Sequence, residues 1–306
     1  MSPLRGIALK LGSVTIFVIM AALIKATADE VPPGEQVFFR SFFAIPVILI
    51  WLMQRGELAT GLRTARPMEH VFRGLMGTAA MGLGFAGLGL LPLPEVTAIG
   101  FATPLLTVIF AAMFLGEEVR SFRLASVALG LIGVLVVLSP RLSNVGDSLS
   151  TAATLGAVIT LLGAMCAALA QIFVRKMVHE ESTSAIVFWF SITASVLALF
   201  TLPFGWTVPS PGTAALLVLA GLLGGLGQIL LTSAYRFADA SVVAPFDYAS
   251  MLLALAIGYG VFGEVPTATM LTGAAIVIAA GVLIIWREHR LGLERNRQRK
   301  AMTPQG

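Results

Sequence analysis

The chain of 306 residues is 57% apolar and 12% charged, with a formal net charge of +4; this charged share is about half of that in a water-soluble domain. So few polar side chains cannot cover a folded surface in water, which excludes a soluble globular protein and leaves lipid as the expected solvent. The connections between the apolar runs are too short to hold a separate soluble domain.

Several kinds of chemistry are also disfavoured. The single cysteine, Cys166, rules out an internal disulfide framework. The sequence has no phosphate-binding loop ending in Gly-Lys, which argues against ATP-driven transport by this chain alone. The three histidines, His70, His179 and His289, fall in polar connections. We therefore expect no metal site and no cofactor.

Ten apolar runs are long enough to form helices that cross a bilayer, because about 20 helical residues span its apolar core of roughly 30 Å. These runs are residues 6–27, 36–53, 71–91, 94–115, 121–139, 153–175, 184–204, 212–235, 239–262 and 268–286. Short connections rich in Gly, Pro or charged residues separate them. The sequence thus predicts an all-α integral membrane protein with ten transmembrane helices.

Lysine and arginine residues lie on alternate connections, which sets the orientation of the spans. Basic residues follow spans 2, 4, 6, 8 and 10, whereas the connections 28–36, 203–212 and 263–267 contain no Lys or Arg; Arg141, after span 5, is the exception. Both termini are therefore expected in the cytoplasm. The basic tail, residues 287–306, is expected to lie near anionic lipid headgroups rather than to bind nucleic acid.

The chain carries a weak internal repeat at an offset of about 147–150 residues, most visibly where the doublet Gly116-Glu117 recurs as Gly263-Glu264. Each half holds five spans, and an odd number forces the second half to enter the membrane from the opposite side. We therefore expect two inverted five-helix repeats, residues 1–147 and 148–286, an arrangement that recurs in transporters. Within each doublet, Gly is expected to relax the turn and Glu to favour the start of the next helix, with a gating role as the alternative.

These features resemble the drug/metabolite transporter superfamily of the EamA type. The resemblance rests on the five-plus-five arrangement, the Gly-Glu doublets that close spans 4 and 9, the segment ASVVAPFDY (240–248) and Arg40 in span 2. It covers residues 6–286. It implies transport of small metabolites, often export of amino acids, across a bacterial inner membrane.

Ionisable and aromatic residues inside the spans are the candidates for a substrate pathway, because buried charges usually face a cavity or a partner. Asp247 lies deep in span 9 beside Tyr248, and the repeat places Phe101 at a similar depth in span 4. The two aromatic residues could flank a ligand ring, and Asp247 could attract an ammonium group or carry a proton. The alternative is a packing role for Asp247, with hydrogen bonds to neighbouring Tyr or Ser residues. The further pathway candidates are Thr103, Gln171, Trp189, Gln228, Thr232, Tyr235 and Arg40.

Alternatives stay open for several of these candidates. Gln228, Thr232 and Tyr235 share one face of span 8, which suits either a water path or hydrogen bonds between helices. Trp189 also suits an interfacial aromatic belt. Arg40 could capture a carboxylate, but it could also reach the membrane surface or pair with an acidic residue. The acidic residues considered for that pair are Glu35 and Asp29.

Two more charged residues, Lys25 and Glu95, lie near the outer face of the predicted bundle. They could form gate contacts, although we expect solvated helix ends. No group of Lys or Arg residues is expected near the midplane, which disfavours phosphorylated substrates.

The expected function is that of a secondary transporter or facilitator working by alternating access: an exporter of amino acids, aromatic ones included, or of related amphipathic compounds. Uptake of a vitamin-like or other small aromatic metabolite, and multidrug efflux, remain alternatives. A midplane Asp without a partner His argues against an intramembrane enzyme. The expected partners are a small-molecule substrate and the lipid bilayer, and both a monomer and a homodimer remain open.

Overall fold

The computed structural model of the chain describes residues 3–115, 121–143, 148–177, 181–237 and 244–302. Every regular element in these ranges is helical. The helices are α1 (Pro3–Ala26), α2 (Pro33–Phe42), α3 (Ala44–Gln54), α4 (Leu58–Gly61), α5 (Pro67–Leu90), α6 (Leu93–Gly100), α7 (Ala102–Leu115), α8 (Ser121–Ser143), α9 (Ser148–Met177), α10 (Thr183–Leu199), α11 (Pro211–Phe237), α12 (Ala249–Phe262) and α13 (Ala268–Met302). Short 3-10 turns occupy Leu202–Phe204 and Ala244–Tyr248.

Among the described residues, seven helical stretches are long and apolar enough to cross a bilayer, which defines a multi-pass membrane protein. They are Leu4–Ala26, Pro33–Gln54, Pro67–Leu90, Leu93–Phe114, Thr151–Val174, Pro211–Leu231 and Ala268–Arg287. Three shorter apolar helices, Leu124–Pro140, Ser184–Leu199 and Phe246–Phe262, lie at the other three predicted spans. The predicted second and fourth runs are each interrupted by a turn, at Phe43 and at Phe101.

The helices pack in pairs. The most extensive contacts join α5 to α9, α1 to α11 and α8 to α13, and α2 packs on α10. One buried apolar cluster includes Ile99, Leu105 and Val277, and a second includes Ile24, Leu93 and Leu217. The two clusters share Val96 of α6 at their border, so the short helix α6 lies between them.

Close approach of α8 and α13 depends on two glycines. A Cβ atom on Gly273 would lie 2.7 Å from the carbonyl oxygen of Gly133, and one on Gly133 would lie 2.9 Å from the carbonyl oxygen of Gly273. Both distances are shorter than van der Waals contact and involve backbone atoms, which cannot move aside alone. Small residues at such crossings are the usual means of close helix packing in membranes.

Replacing Gly133 by Ala is therefore expected to force α8 and α13 apart and to destabilise the protein by about 1–3 kcal/mol. The matched control is Gly84→Ala in α5, where an added Cβ meets nothing within 4 Å. This control should be neutral or slightly stabilising, because Ala favours helix more than Gly does. The measurement is the thermal unfolding midpoint in detergent, and equal midpoints for the two variants would contradict the close approach.

The carboxylate of Glu181, just before α10, holds the start of α5. Its Oε1 accepts hydrogen bonds from the backbone N–H groups of Ala65 (2.7 Å) and Arg66 (3.0 Å) and from the hydroxyl of Thr64 (2.8 Å). A helix start leaves N–H groups without partners and carries positive partial charge, so a carboxylate there is stabilising. His70 lies 3.7 Å from Glu181, with both side chains buried. The prediction that His70 lies in a polar connection was wrong, because it belongs to the first turns of α5.

A second set of carboxylates holds the start of α11. Glu35 Oε2 accepts a hydrogen bond from the backbone N–H of Thr207 at 3.0 Å. Glu30 accepts hydrogen bonds from the backbone N–H of Ser210 and from the hydroxyl of Thr213. Residues at the start of α2 thus tie down the start of α11, as Glu181 ties down the start of α5.

Stability should depend on pH through Glu181. Burial alone would raise the pKa of this carboxyl, but the hydrogen bonds from Thr64, Ala65 and Arg66 bring it below its ordinary value of 4.5. A carboxyl whose pKa is lowered by folding adds stability that is fully present above pH 4.5 and is lost as the pH falls further.

The Glu181→Gln variant should therefore be less stable than the wild type at neutral pH by about 1–3 kcal/mol, the usual contribution of hydrogen bonds to a charged group. The difference should shrink as the pH falls below about 4.5, because protonation removes the same charge from the wild type. Unfolding midpoints between pH 7 and pH 3.5 measure this effect. Glu57→Gln, at an exposed surface pair with Arg55, serves as the control, and a constant difference across this range would contradict the assignment.

Candidate functional site

Two spans break their helical geometry at an aromatic residue, and the two aromatic rings touch. Phe101 forms the turn between α6 and α7, and Tyr248 ends the 3-10 turn that precedes α12. Their ring centroids lie 5.1 Å apart in an edge-to-face arrangement. The two rings predicted to flank a ligand are thus brought together but contact each other, so a ligand ring cannot lie between them unless they separate. The Tyr248 hydroxyl rests against Gly281 of α13, at the position that a Cβ would occupy.

The carboxylate of Asp247 pairs with a lysine from the first helix. Its Oδ1 lies 2.7 Å from Nζ of Lys10, which is 2% exposed, whereas the Asp247 side chain is 48% exposed. Lys10 is seven residues into α1, or about 11 Å from its start. The predicted packing alternative, in which neighbouring Tyr or Ser residues satisfy Asp247, is not what holds this carboxylate: Ser250 donates to the backbone oxygen of Asp247 instead.

This ion pair is chemically asymmetric. The lysine is enclosed, while half of the carboxylate surface is open, so a cationic group on a ligand can approach Asp247 without first displacing Lys10. Sequence reasoning missed Lys10. The signal that could have found it is the cost of a charge inside an apolar helix, which demands a partner of opposite sign.

A second ion pair closes one end of the bundle. Nζ of Lys25 lies 2.9 Å from Oε1 of Glu264, and it also donates to the carbonyl oxygens of Leu88 (3.0 Å) and Leu91 (2.7 Å). An ammonium group has three donors, and these contacts use all of them. The expectation of a solvated end was wrong for Lys25, whose side chain is 14% exposed, and also for Glu95, which is buried.

Glu264 belongs to the second Gly-Glu doublet and joins three parts of the chain. Its Oε2 accepts a hydrogen bond from the backbone N–H of Leu93, the first residue of α6, at 2.8 Å. Gly263 adopts a left-handed conformation with φ of 66° and ends α12, which confirms the predicted turn. The prediction for Glu264 was right in kind but wrong in partner, since it caps α6 rather than the next helix. Gly116 and Glu117, of the first doublet, lie outside the described residues.

The other predicted pathway residues make packing contacts, or make described contacts that do not distinguish a pathway role from a packing role. The indole N–H of Trp189 donates to the carbonyl oxygen of Leu62 at 3.0 Å, which anchors the connection before α5. The Thr103 hydroxyl lies 3.4 Å from the carbonyl oxygen of Ala164 in α9. Gln228 is half-buried in α11 and Gln171 is exposed on α9. The side chains of Thr232 and Tyr235 lie outside the described part of the chain. The pathway roles of these residues stay predictions.

Arg40 is buried and points inward. Its guanidinium carbon lies 5.8 Å from the centre of the Phe190 ring, and its expected partner Glu35 is engaged by Thr207 instead. Arg73, which the sequence placed at a cytoplasmic connection, lies 3.8 Å from the same ring. The expectation that no arginines gather inside the bundle was therefore wrong. Sequence reasoning missed Arg73 and Phe190, because only the tertiary fold brings α2, α5 and α10 together.

Helices of this length and apolarity, joined by two ion pairs, define a multi-pass membrane protein. The chain belongs to the EamA-like transporter family, whose sequence model matches residues 4–139 and again residues 154–286. This confirms the resemblance noted from the sequence.

Relatives that are named as transporters match nearly the whole chain. An S-adenosylmethionine uptake transporter of Rickettsia bellii is 29% identical over 92% of this chain and 97% of its own length. A riboflavin transporter of Rhizobium johnstonii is 29% identical, covering 85% and 83% of the two chains. A pseudopaline exporter of Pseudomonas aeruginosa is also 29% identical, covering 88% and 91%. A solved structure with 21% identity matches with a TM-score of 0.63 over 90% of this chain and 96% of its own, which supports the fold alone.

Proposed function

We propose that the chain is a secondary transporter or facilitator that moves small amphipathic metabolites by alternating access between two inverted five-helix halves, residues 1–147 and 148–286. The family model matches two consecutive segments that nearly coincide with these halves. The pairing of helices supports the same division. The repeat equates α1 with α9 and α11 with α5. The contact between α1 and α11 therefore corresponds to the contact between α9 and α5, and both are among the most extensive in the bundle.

The carboxylate contacts at the starts of α5 and α11 support the repeat independently. The start of α2 holds the start of α11 through Glu35, and the residue before α10 holds the start of α5 through Glu181. The repeat equates α2 with α10 and α5 with α11, so the two contacts correspond to each other in the same way. If both termini are cytoplasmic, as the arginine pattern predicts, the Glu181 contact is cytoplasmic and the Lys25–Glu264 pair closes the outer end.

The observation that carries the substrate proposal is the half-open carboxylate of Asp247 beside the Phe101–Tyr248 rings. A cationic group fits the carboxylate, and an apolar or aromatic part fits the rings once they separate. S-adenosylmethionine has such parts, and several relatives are named as its uptake transporters. We therefore propose uptake of S-adenosylmethionine or a zwitterion of similar shape. Export of an amino-acid derivative is the second candidate, and the relative named as an exporter supports it.

Purified protein in liposomes loaded with unlabelled S-adenosylmethionine should accumulate the radiolabelled compound by counterflow. Asp247→Asn should lower the initial rate by about tenfold, because a lost charge-assisted contact weakens binding by roughly that factor. Asp29→Asn, at an exposed carboxylate, should leave the rate unchanged. The transport proposal would be contradicted if no metabolite in a panel of amino acids, vitamins and S-adenosylmethionine gave counterflow.

Loss of Asp247 also leaves Lys10 buried without this partner, so folding needs its own control. The double variant Lys10→Met with Asp247→Asn removes both charges and should unfold at a temperature close to that of the wild type, yet still fail to transport. Wild-type counterflow in this folded double variant would reduce the ion pair to a packing contact.

A further inference from the structure

Two arginines from different helices, Arg40 buried and Arg73 partly buried, share one aromatic ring inside the bundle. The guanidinium carbons of Arg40 in α2 and Arg73 in α5 lie 5.8 Å and 3.8 Å from the centre of the Phe190 ring. Because both distances run to the same point, the two guanidinium groups are at most about 10 Å apart. Stacking on the face of an aromatic ring fixes the plane of a guanidinium and leaves its N–H edge free to bind a ligand.

These three residues lie inside predicted membrane spans. Arg40 is seven residues into α2, Phe190 seven residues into α10 and Arg73 six residues into α5, which places them about 9–11 Å from the ends of their helices. The predicted topology puts the start of α2 on one face of the membrane and the starts of α5 and α10 on the other. The long arginine side chains therefore extend toward each other across the middle of a slab of roughly 30 Å.

No described carboxylate neutralises either guanidinium. Nε and Nη1 of Arg40 and of Arg73 are buried without a hydrogen-bond partner, and Arg40 is only 4% exposed. Of the carboxylates nearest along the chain, Glu35 accepts a hydrogen bond from Thr207, and Oε1 of Glu69 pairs with Arg66 at 2.9 Å while its Oε2 is buried without a hydrogen-bond partner. A buried guanidinium without an anion costs free energy, and charges inside membrane proteins usually pair with an opposite charge or face a ligand path.

Glycines let neighbouring helices approach these side chains closely. A Cβ on Gly224 of α11 would lie 3.0 Å from Nε of Arg40, and one on Gly77 of α5 would lie 2.8 Å from the Phe190 ring. Both contacts are tighter than ordinary side-chain packing, so larger residues at either position would press on the arginines or the ring.

We propose that Arg40 and Arg73 form a binding site for the carboxylate of the transported metabolite, a proposal that rests on the transport function proposed above. A guanidinium presents two parallel N–H groups that match the two oxygens of a carboxylate. Two such groups around one ring can hold it while the rest of the ligand extends along the bundle. The carboxylate supplies the negative charge that the described residues do not.

The position of this site relative to Asp247 limits the shape of the ligand. Met20 Sδ and Arg40 Nε both lie within 3.2 Å of the Cβ position of Gly224, so Met20 marks the arginine site on α1. Lys10, the partner of Asp247, lies ten residues earlier on α1, or about 15 Å away. A ligand reaches both sites at once only if its cationic group and its carboxylate are about this far apart, whereas a compact amino acid reaches one site at a time.

The test compares S-adenosylmethionine with its decarboxylated analogue, which differs only by the missing carboxylate. The purified full-length wild type should bind S-adenosylmethionine about tenfold more tightly than the analogue, measured by calorimetry in detergent. Arg40→Gln and Arg73→Gln should each remove most of this preference, and Arg→Lys at either position should retain part of it. Arg55→Gln, at an exposed arginine that lies over Trp51, should keep the full preference.

The outcomes separate this proposal from the proposed function. If wild-type protein transports S-adenosylmethionine but binds both compounds equally, the carboxylate site is overturned and the transport function stands. The panel also includes L-phenylalanine and L-methionine, each compared with the amide in which the carboxylate is replaced. If no carboxylate compound binds more tightly than its amide, the proposed carboxylate site is overturned as well. If the wild type binds inorganic phosphate and only the arginine variants lose this binding, the carboxylate proposal is overturned in favour of a phosphorylated ligand. Where a Gln variant fails to fold, the Arg→Lys variant at the same position still allows the binding of S-adenosylmethionine and its decarboxylated analogue to be compared.

Discussion

A charge inside a bilayer must find a partner, and this requirement explains most of the polar architecture of the chain. Lys10 and Asp247 neutralise each other beside the break in the ninth span, and Lys25 and Glu264 do so at one end of the bundle. Glu35 and Glu181 compensate the positive starts of two helices. Arg40 and Arg73 are the described exceptions, since no described carboxylate reaches them. In a transporter, a charge left without a partner is where the substrate is expected to supply one.

In the proposed transport cycle, the same pairs would connect substrate binding to movement. The Lys25–Glu264 contact joins α1 and the junction of α5 with α6 to the turn after α12, so it links the two proposed halves. Opening this end must break the ion pair and uncap α6, which has a cost of a few kcal/mol for a partly buried pair. Binding energy gained at the arginines and at Asp247 can offset part of that cost. A ligand that binds both conformations equally shifts nothing, so the contacts of the substrate must differ between the two states.

Hydropathy predicted the helical runs well because lipid leaves the backbone little alternative to helix. The cost of buried charge also pointed to Asp247 and Arg40. Their partners could not be predicted: Lys10 and Asp247 are far apart in the sequence, and Glu264 caps a helix from the other proposed half. The helix breaks at Phe43 and Phe101 were not predicted, because hydropathy averages over a whole helical turn. Arg73 was counted among the basic residues around the connection between spans 2 and 3, because a positive charge near a span end is ordinarily an orientation signal, and only the tertiary structure shows its contact with Phe190.

In the proposed alternating-access cycle, the end closed by Lys25 and Glu264 opens once in each round of transport. The most direct test replaces both residues by cysteine in a Cys166→Ser background and joins them with a bis-methanethiosulfonate reagent long enough to replace the ion pair. Counterflow in liposomes should stop when the two residues are joined and return when a reductant removes the reagent, while the single-cysteine variants remain active after the same treatment. Full counterflow in the joined protein would contradict alternating access through this end.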